Sequence, residues 1–269
     1  MPAFLFLNNR EEALTDPERK TSFGFWPAER IVSKGYAAAV IQLQDVDPDF
    51  HDDFKNGVHG ILEPSDEPRM PDMWGTIAAW AWGASRAMDY LETDPLIDSQ
   101  KVAVAGHSRG GKAALWAAAQ DLRFAMVISN NSGCTGAALA RGKQGETIRL
   151  INEQFPHWFN GNYKSYNDKE FELPVDQHML LALIAPRLLY ISSATEDVWS
   201  DPQSEYLSGI LAGEAYHLFG YKGLDESAFP QAEQPLYGDR IAYHLRTGAH
   251  DLTEYDWKCF MEFADRYFK

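Results

Sequence analysis

The sequence predicts an α/β fold in which a mostly parallel central sheet is covered by helices on both faces. Short apolar runs alternate with amphipathic segments in the order strand, helix, strand, helix, each run is bounded by turn residues or a change of pattern, and no internal repeat or low-complexity linker intervenes. Strands are expected at about Ala3–Leu7, Ala37–Leu43, Lys101–Ala105, Ala125–Ser129, Leu188–Ser193 and Ile241–Arg246. The longest helix is expected from Asp72 as N-cap to about Leu91, because Ile77, Ala81, Ala84, Met88 and Leu91 recur at helical spacing, with Trp80 and Trp82 widening that face. Helices also fit Gly111–Gln120, Glu205–His217 and Thr253–Phe268, the last capped by Thr253 with Phe260, Phe263 and Tyr267 inward.

A chain of 269 residues that is 45% apolar can bury a continuous core, and a single domain spanning 1–269 is expected. No run of eighteen apolar residues occurs, and the start, MPAFLFLNNR, has no basic segment, long apolar stretch or small-residue cleavage site. Neither a membrane span nor a signal peptide is therefore expected. Cys134 and Cys259 are too few for a disulfide framework. The net charge of −15 argues against nucleic acid or an anionic membrane as partner, and fits an acidic, solubilising surface.

An insertion at about 134–186 separates two expected strands by far more than an ordinary α/β loop. It carries Phe155, Trp158, Phe159, Tyr163 and Tyr166 among polar residues, a composition suited either to covering or lining a cleft or to packing on the sheet.

The chemistry centres on VAVAGHSRGGK at 102–112. A GxSxG sequence between an apolar strand and a helix forms a nucleophile elbow, a sharp turn that lifts the Ser108 hydroxyl above the sheet. Gly106 and Gly110 leave room for the strand-to-helix crossing, and the following helix turns its N-terminal amides toward the reaction centre. A glycine-rich turn closing an ordinary βα unit is the plainer alternative. A serine hydroxyl needs a base, and on such an elbow the partners follow in the order Ser, Asp/Glu, His. Of eight histidines, His217 falls in a helical pattern and His244 in a strand, whereas His250 lies in a loop between the last strand and the last helix. His250 is the expected base, with His244 as the fallback. The acid can follow either of two strands. The first ends in Ser129-Asn130-Asn131-Ser132, without a carboxylate, and the second in Thr195-Glu196-Asp197, which makes Asp197 the candidate and Glu196 its rival.

These residues resemble the glucuronoyl esterases, carbohydrate esterase family 15, in their bacterial form. The resemblance runs along nearly the whole chain and is carried by residues 106–112, Ser129-Asn130-Asn131-Ser132-Gly133-Cys134, Phe155-Pro156-His157-Trp158-Phe159, residues 196–202 and Gly248-Ala249-His250-Asp251. It implies an α/β-hydrolase fold and cleavage of the ester between 4-O-methyl-glucuronic acid on xylan and an alcohol of lignin. It further implies Ser108, His250 and Asp197 as the catalytic triad, Arg109 as oxyanion stabiliser, and Lys112, Glu146 and Trp199 as the residues that hold the sugar. An extracellular or periplasmic setting goes with that likeness.

Fungal members carry their acid where this chain has Asn131, so the chain is similar to the branch that relies on the later acid. Fungal members also join cysteines beside the serine and the histidine. Here those places hold His107 and Asp251, for which a hydrogen bond or ion pair is the expected replacement. Family members have sheet strands before the segment where this chain starts, so Pro2–Leu7 is expected to be an internal strand and the sheet to lack its first edge. The second oxyanion amide then comes from the loop Asn8, Asn9, Arg10. No metal or cofactor is expected. Asp45, Asp47 and Asp49 imitate the opening of a calcium loop but lack its glycine and its glutamate, and read as a solvated acidic turn. Another serine esterase or peptidase of this fold, or a non-catalytic carbohydrate-binding relative, stays open at this stage.

Overall fold

A computed structural model describes residues 1–10, 23–63, 67–224 and 229–269. Among the described residues, seven strands form one sheet: β1 (Ala3–Asn8), β2 (Ala37–Gln42), β3 (Val102–His107), β4 (Met126–Asn130), β5 (Leu188–Ala194), β6 (Leu236–Tyr237) and β7 (Ile241–Arg246). Their order is β2-β1-β3-β4-β5-β7-β6, so β1 is internal, and every pairing is parallel except β6 on β7. This architecture is the α/β-hydrolase fold.

The parity of the strands divides the core into two layers. Leu5, Leu7, Val104, Val127 and Ile191 face one layer, together with α4 (Thr76–Leu91), α5 (Arg109–Gln120) and α8 (Pro202–His217). Phe4, Phe6, Ile128 and Tyr190 face the other, where α9 (Glu254–Phe268) contributes Trp257, Phe260 and Phe263. Because both faces are covered, the central strands must be apolar at consecutive positions. The remaining α-helices among the described residues are α1 (Ala28–Ser33), α2 (Leu43–Val46), α3 (Gly57–Leu62), α6 (Ile148–Gln154) and α7 (Gln177–Ala182). No helix among the described residues is long and apolar enough to cross a membrane.

The helix expected to start at Asp72 begins at Thr76. Its first amides are satisfied by the insertion instead: Thr76 N donates to the His157 carbonyl at 2.9 Å and Ile77 N to that of Trp158 at 3.3 Å. The Gly75 N-cap permits this approach, since a Cβ there would lie 2.4 Å from the Trp158 oxygen. Trp80 is buried on that helix, as expected, but Trp82 is exposed. Helix α5 starts two residues earlier than expected, at Arg109, and α8 at Pro202, where the Asp201 side chain accepts from Ser204 N. Thr253 and Asp256 form a reciprocal capping box on α9, in agreement with the sequence. Strand β6, two residues long, had no counterpart among the expected elements.

Candidate active site

Strand β3 runs into Ser108, whose backbone takes φ +56° and ψ −123° before α5 begins. A non-glycine residue held there is strained and persists only because its surroundings impose it. The crossing admits no side chain: a Cβ at Gly106 would meet the Gly110 carbonyl at 2.1 Å, and one at Gly110 would meet the Leu7 oxygen at 2.7 Å. Ser108 N donates to the Asn130 carbonyl at 2.8 Å, tying the elbow to the end of the neighbouring strand.

His250 lies in the loop after β7, and its ring centroid is 4.6 Å from that of His107, the residue preceding the serine. Its Nδ1 is 2.6 Å from Asp197 Oδ2. Burial opposes ionisation of Asp197, yet hydrogen bonds from His250, Asn131 and Ser200 outweigh it and hold the carboxyl well below the usual carboxylate range. An ionised acid only accepts, so His250 carries its proton on Nδ1 and Nε2 is the basic nitrogen. Glu196 is exposed and meets the histidine loop through its backbone amide, so Asp197 is the acid that reaches His250. Asn131 donates to the same Oδ2 at 2.7 Å. His244, the fallback, is a fully buried structural histidine between the Tyr190 hydroxyl and Asp256.

The three residues expected to hold a sugar also converge. Lys112 is buried, and its Nζ donates to the carbonyls of Ser132 and Cys134, both at 2.5 Å, and lies 3.8 Å from Glu146. Burial pushes the ammonium's pKa down and the Glu146 charge counters it. Glu146 N donates to the Trp199 carbonyl at 3.0 Å, while the Trp199 side chain is 47% exposed. Lys112 and Trp158 also border a cavity of about 770 Å³ whose walls include Trp74, Trp116 and Leu180.

Two expectations are corrected. His107 does not pair with Asp251. It is buried and donates from Nδ1 to Asn130 Oδ1 at 2.6 Å; burial, then the charge of His250, holds its pKa well below the ordinary imidazole value. Asp251 pairs instead with Arg10 at 2.7 Å, and the Arg10 guanidinium stacks on Phe25, 4.0 Å from the ring centre. A double-mutant cycle is expected to give no coupling between His107 and Asp251, and about 0.5 kcal/mol between Arg10 and Asp251, since both members of that pair are partly exposed. The acidic turn, too, is not simply solvated. Asp47 is buried and accepts from the Thr76 hydroxyl at 2.8 Å, with His59 Nδ1 also at 2.8 Å. Asp49 receives Arg109, His157 and Trp158.

Glu205 on α8, placed by the sequence only as the first residue of a helix, is fully buried behind the acid. It accepts from the Ser193 hydroxyl at 2.6 Å and from Gly133 N at 2.8 Å. Burial pushes its pKa up to about 7, against those hydrogen bonds and assisted by the charge of Asp197. A raised native pKa stabilises the fold below the unfolded value of about 4.3, and that contribution is lost as pH rises toward the native value. Between about pH 4.5 and 7.5, Glu205→Gln is therefore expected to gain stability relative to wild type, on the order of 3 kcal/mol. A difference in melting temperature that stays constant across this range would contradict the assignment.

A strained serine between a parallel strand and a helix, with a histidine packed on the residue before it and held by a buried carboxylate, is the arrangement of the α/β-hydrolases. Comparison narrows the class. The family model described as "Glucuronyl esterase, fungi" matches residues 70–220. Carbohydrate esterase MZ0003 of an unknown prokaryotic organism is 51% identical over 251 residues, which are 93% of this chain and 57% of that protein. The 4-O-methyl-glucuronoyl methylesterase of Hypocrea jecorina is 40% identical over 155 residues, covering 54% of this chain and 34% of that one. The solved glucuronoyl esterase from Solibacter usitatus superposes with a TM-score of 0.91 at 42% identity, covering 98% of this chain and 73% of its own. The chain belongs to the glucuronoyl esterase family, and it spans little more than half the length of the first of these curated relatives.

Proposed function

We propose that this chain is a serine carboxylesterase that hydrolyses the ester between 4-O-methyl-glucuronic acid of glucuronoxylan and an alcohol of lignin, in an extracellular or periplasmic setting. The observation that carries the reading is the 2.6 Å contact of His250 with Asp197 beside the Ser108 elbow, in a chain of this family. Ser108 Oγ attacks the uronoyl carbonyl while its proton passes to His250 Nε2, and Asp197 steadies the resulting imidazolium. The carbonyl electron pair moves to oxygen, and Arg109 stabilises the oxyanion. Collapse expels the alcohol, which takes the proton from His250. Water, deprotonated by the same nitrogen, then releases the uronic acid from Ser108. Lys112 and Glu146 bond the sugar hydroxyls, Trp199 packs its face on the pyranose, and the insertion at 134–186 lines the cleft of a single domain.

The test compares a benzyl glucuronate with an acetylated xylan. Efficient hydrolysis is expected for the uronate ester alone, with Trp199→Ala raising KM for it while kcat holds. Preference for the acetyl ester would remove the uronate reading and leave a serine esterase. Failure of a fluorophosphonate to label Ser108 would remove hydrolysis itself.

A further inference from the structure

The turn after α2 contains a carboxylate for which neither the fold nor the triad accounts. Asp49 Oδ2 takes an Nη1 hydrogen of Arg109, and its Oδ1 accepts from Trp158 Nε1 at 2.8 Å and lies 3.2 Å from His157 Nε2. The side chain is largely buried, at 13% exposure. Burial alone would favour its neutral form, yet the His157 contact and the Arg109 charge hold its pKa below the ordinary value. The turn itself is anchored, because Trp80 Nε1 donates to the Asp47 carbonyl at 2.8 Å and the Asp47 carboxylate is held by Thr76 and His59. Asp49 thus reaches Arg109 from a fixed base.

The guanidinium also borders one stacked aromatic pair, with its carbon 4.9 Å from the Trp158 ring centre and 5.3 Å from that of Phe155, the two rings lying 3.7 Å apart. One aromatic stack on one side and a carboxylate on its Nη1 edge limit the arginine's rotational freedom. Its Nε–H is buried and finds no acceptor among the described residues. A buried donor in that state is destabilising unless an acceptor arrives. Electrostatic catalysis requires donors fixed in advance toward the place where charge will develop.

We propose that Asp49 is a positioning residue for the esterase reaction: by holding the Nη1 edge of Arg109, it fixes the guanidinium so that the remaining N–H groups serve the oxyanion. The same carboxylate, through His157 and Trp158, ties the setting of Arg109 to the insertion. This rests on the reading of Arg109 as oxyanion stabiliser, and the experiment separates the two. Steady-state kinetics on benzyl glucuronate are compared for Arg109→Ala, Asp49→Asn, Asp49→Glu and the Arg109→Ala/Asp49→Asn double variant, with thermal melting to verify folding.

Arg109→Ala is expected to lower kcat by about 10²–10³-fold with KM little changed. Asp49→Asn keeps shape and an acceptor for Trp158 but loses the charge, and is expected to lower kcat about 10–50-fold at unchanged KM, a fraction of that oxyanion effect. Asp49→Glu retains the charge and displaces it by a methylene, so it too should lower kcat and still melt as wild type. The double variant should be no slower than Arg109→Ala alone, because both changes remove one unit. Wild-type kcat in Arg109→Ala would overturn the oxyanion reading. An impaired Arg109→Ala beside a normal or faster Asp49→Asn, a loss confined to KM, or losses that multiply in the double variant would overturn the role of Asp49 and leave that reading in place.

Discussion

Replacing Ser108 by alanine is expected to lower kcat on a glucuronate ester by about 10⁵–10⁶-fold, since in the proposed mechanism the attacking atom is gone while the rest of the site persists. His250→Ala should fall by a similar factor, and the double variant no further, because the two residues perform one step. The elbow geometry adds a second expectation. At φ +56° and ψ −123° a Cβ is strained, so Ser108→Gly, though equally inactive, should be more stable than Ser108→Ala by about 1 kcal/mol. Chemical denaturation of the two variants measures that difference, and equal stability would mean that the backbone at the elbow carries no strain to release.

Asp197→Ala is expected to lower kcat by about 10⁴-fold, by leaving the imidazolium without its counter-charge and the ring without its orienting bond. Asp197→Asn should do less harm than alanine. Oδ2 faces two donors, His250 and Asn131, whereas Oδ1 faces one long contact from Ser200 N, so an asparagine oxygen is drawn to the Oδ2 position and keeps the tautomer. Kinetics of the two variants with equal losses would sink this account of Asn131. The depressed pKa of Asp197 also makes its ionised form stabilising above the unfolded carboxyl value of about 3.9, a contribution lost as pH falls toward the native value. The alanine variant should consequently show a shallower acid-side decline in melting temperature.

The central strands and the elbow were legible because their signals are local. Runs such as Phe4-Leu5-Phe6-Leu7 must be apolar on both faces, and glycines at 106 and 110 are the only residues that fit the crossing. That His250 and Asp197 lie together was expected from chain order, once the serine was placed. What escaped depends on partners far away in sequence. Asp49 looked solvated because Arg109 and His157 are 60 and 108 residues distant. Glu205 sits where a first-turn glutamate is ordinarily wet, and only the return of Gly133 and Ser193 buries it. The start of α4 moved from Asp72 to Thr76 because backbone carbonyls carry no sequence signature. Strand β6 exists through its pairing of Leu236 with Tyr243 rather than through any run of its own. His107 and Asp251 were linked through a pattern of replaced cysteines, whereas each is taken by a nearer partner, Asn130 and Arg10.

The carbonyls of His157 and Trp158 that end on Thr76 and Ile77 bear on how this scaffold can be re-engineered. A segment whose main chain completes a core helix can be exchanged only for one that brings carbonyls to the same two places. Trimming it would strand two amides at the head of α4 and strip Asp49 of two donors in one cut. Changes of substrate range are better sought in side chains along that segment, with the peptide groups of residues 157 and 158 left where they are.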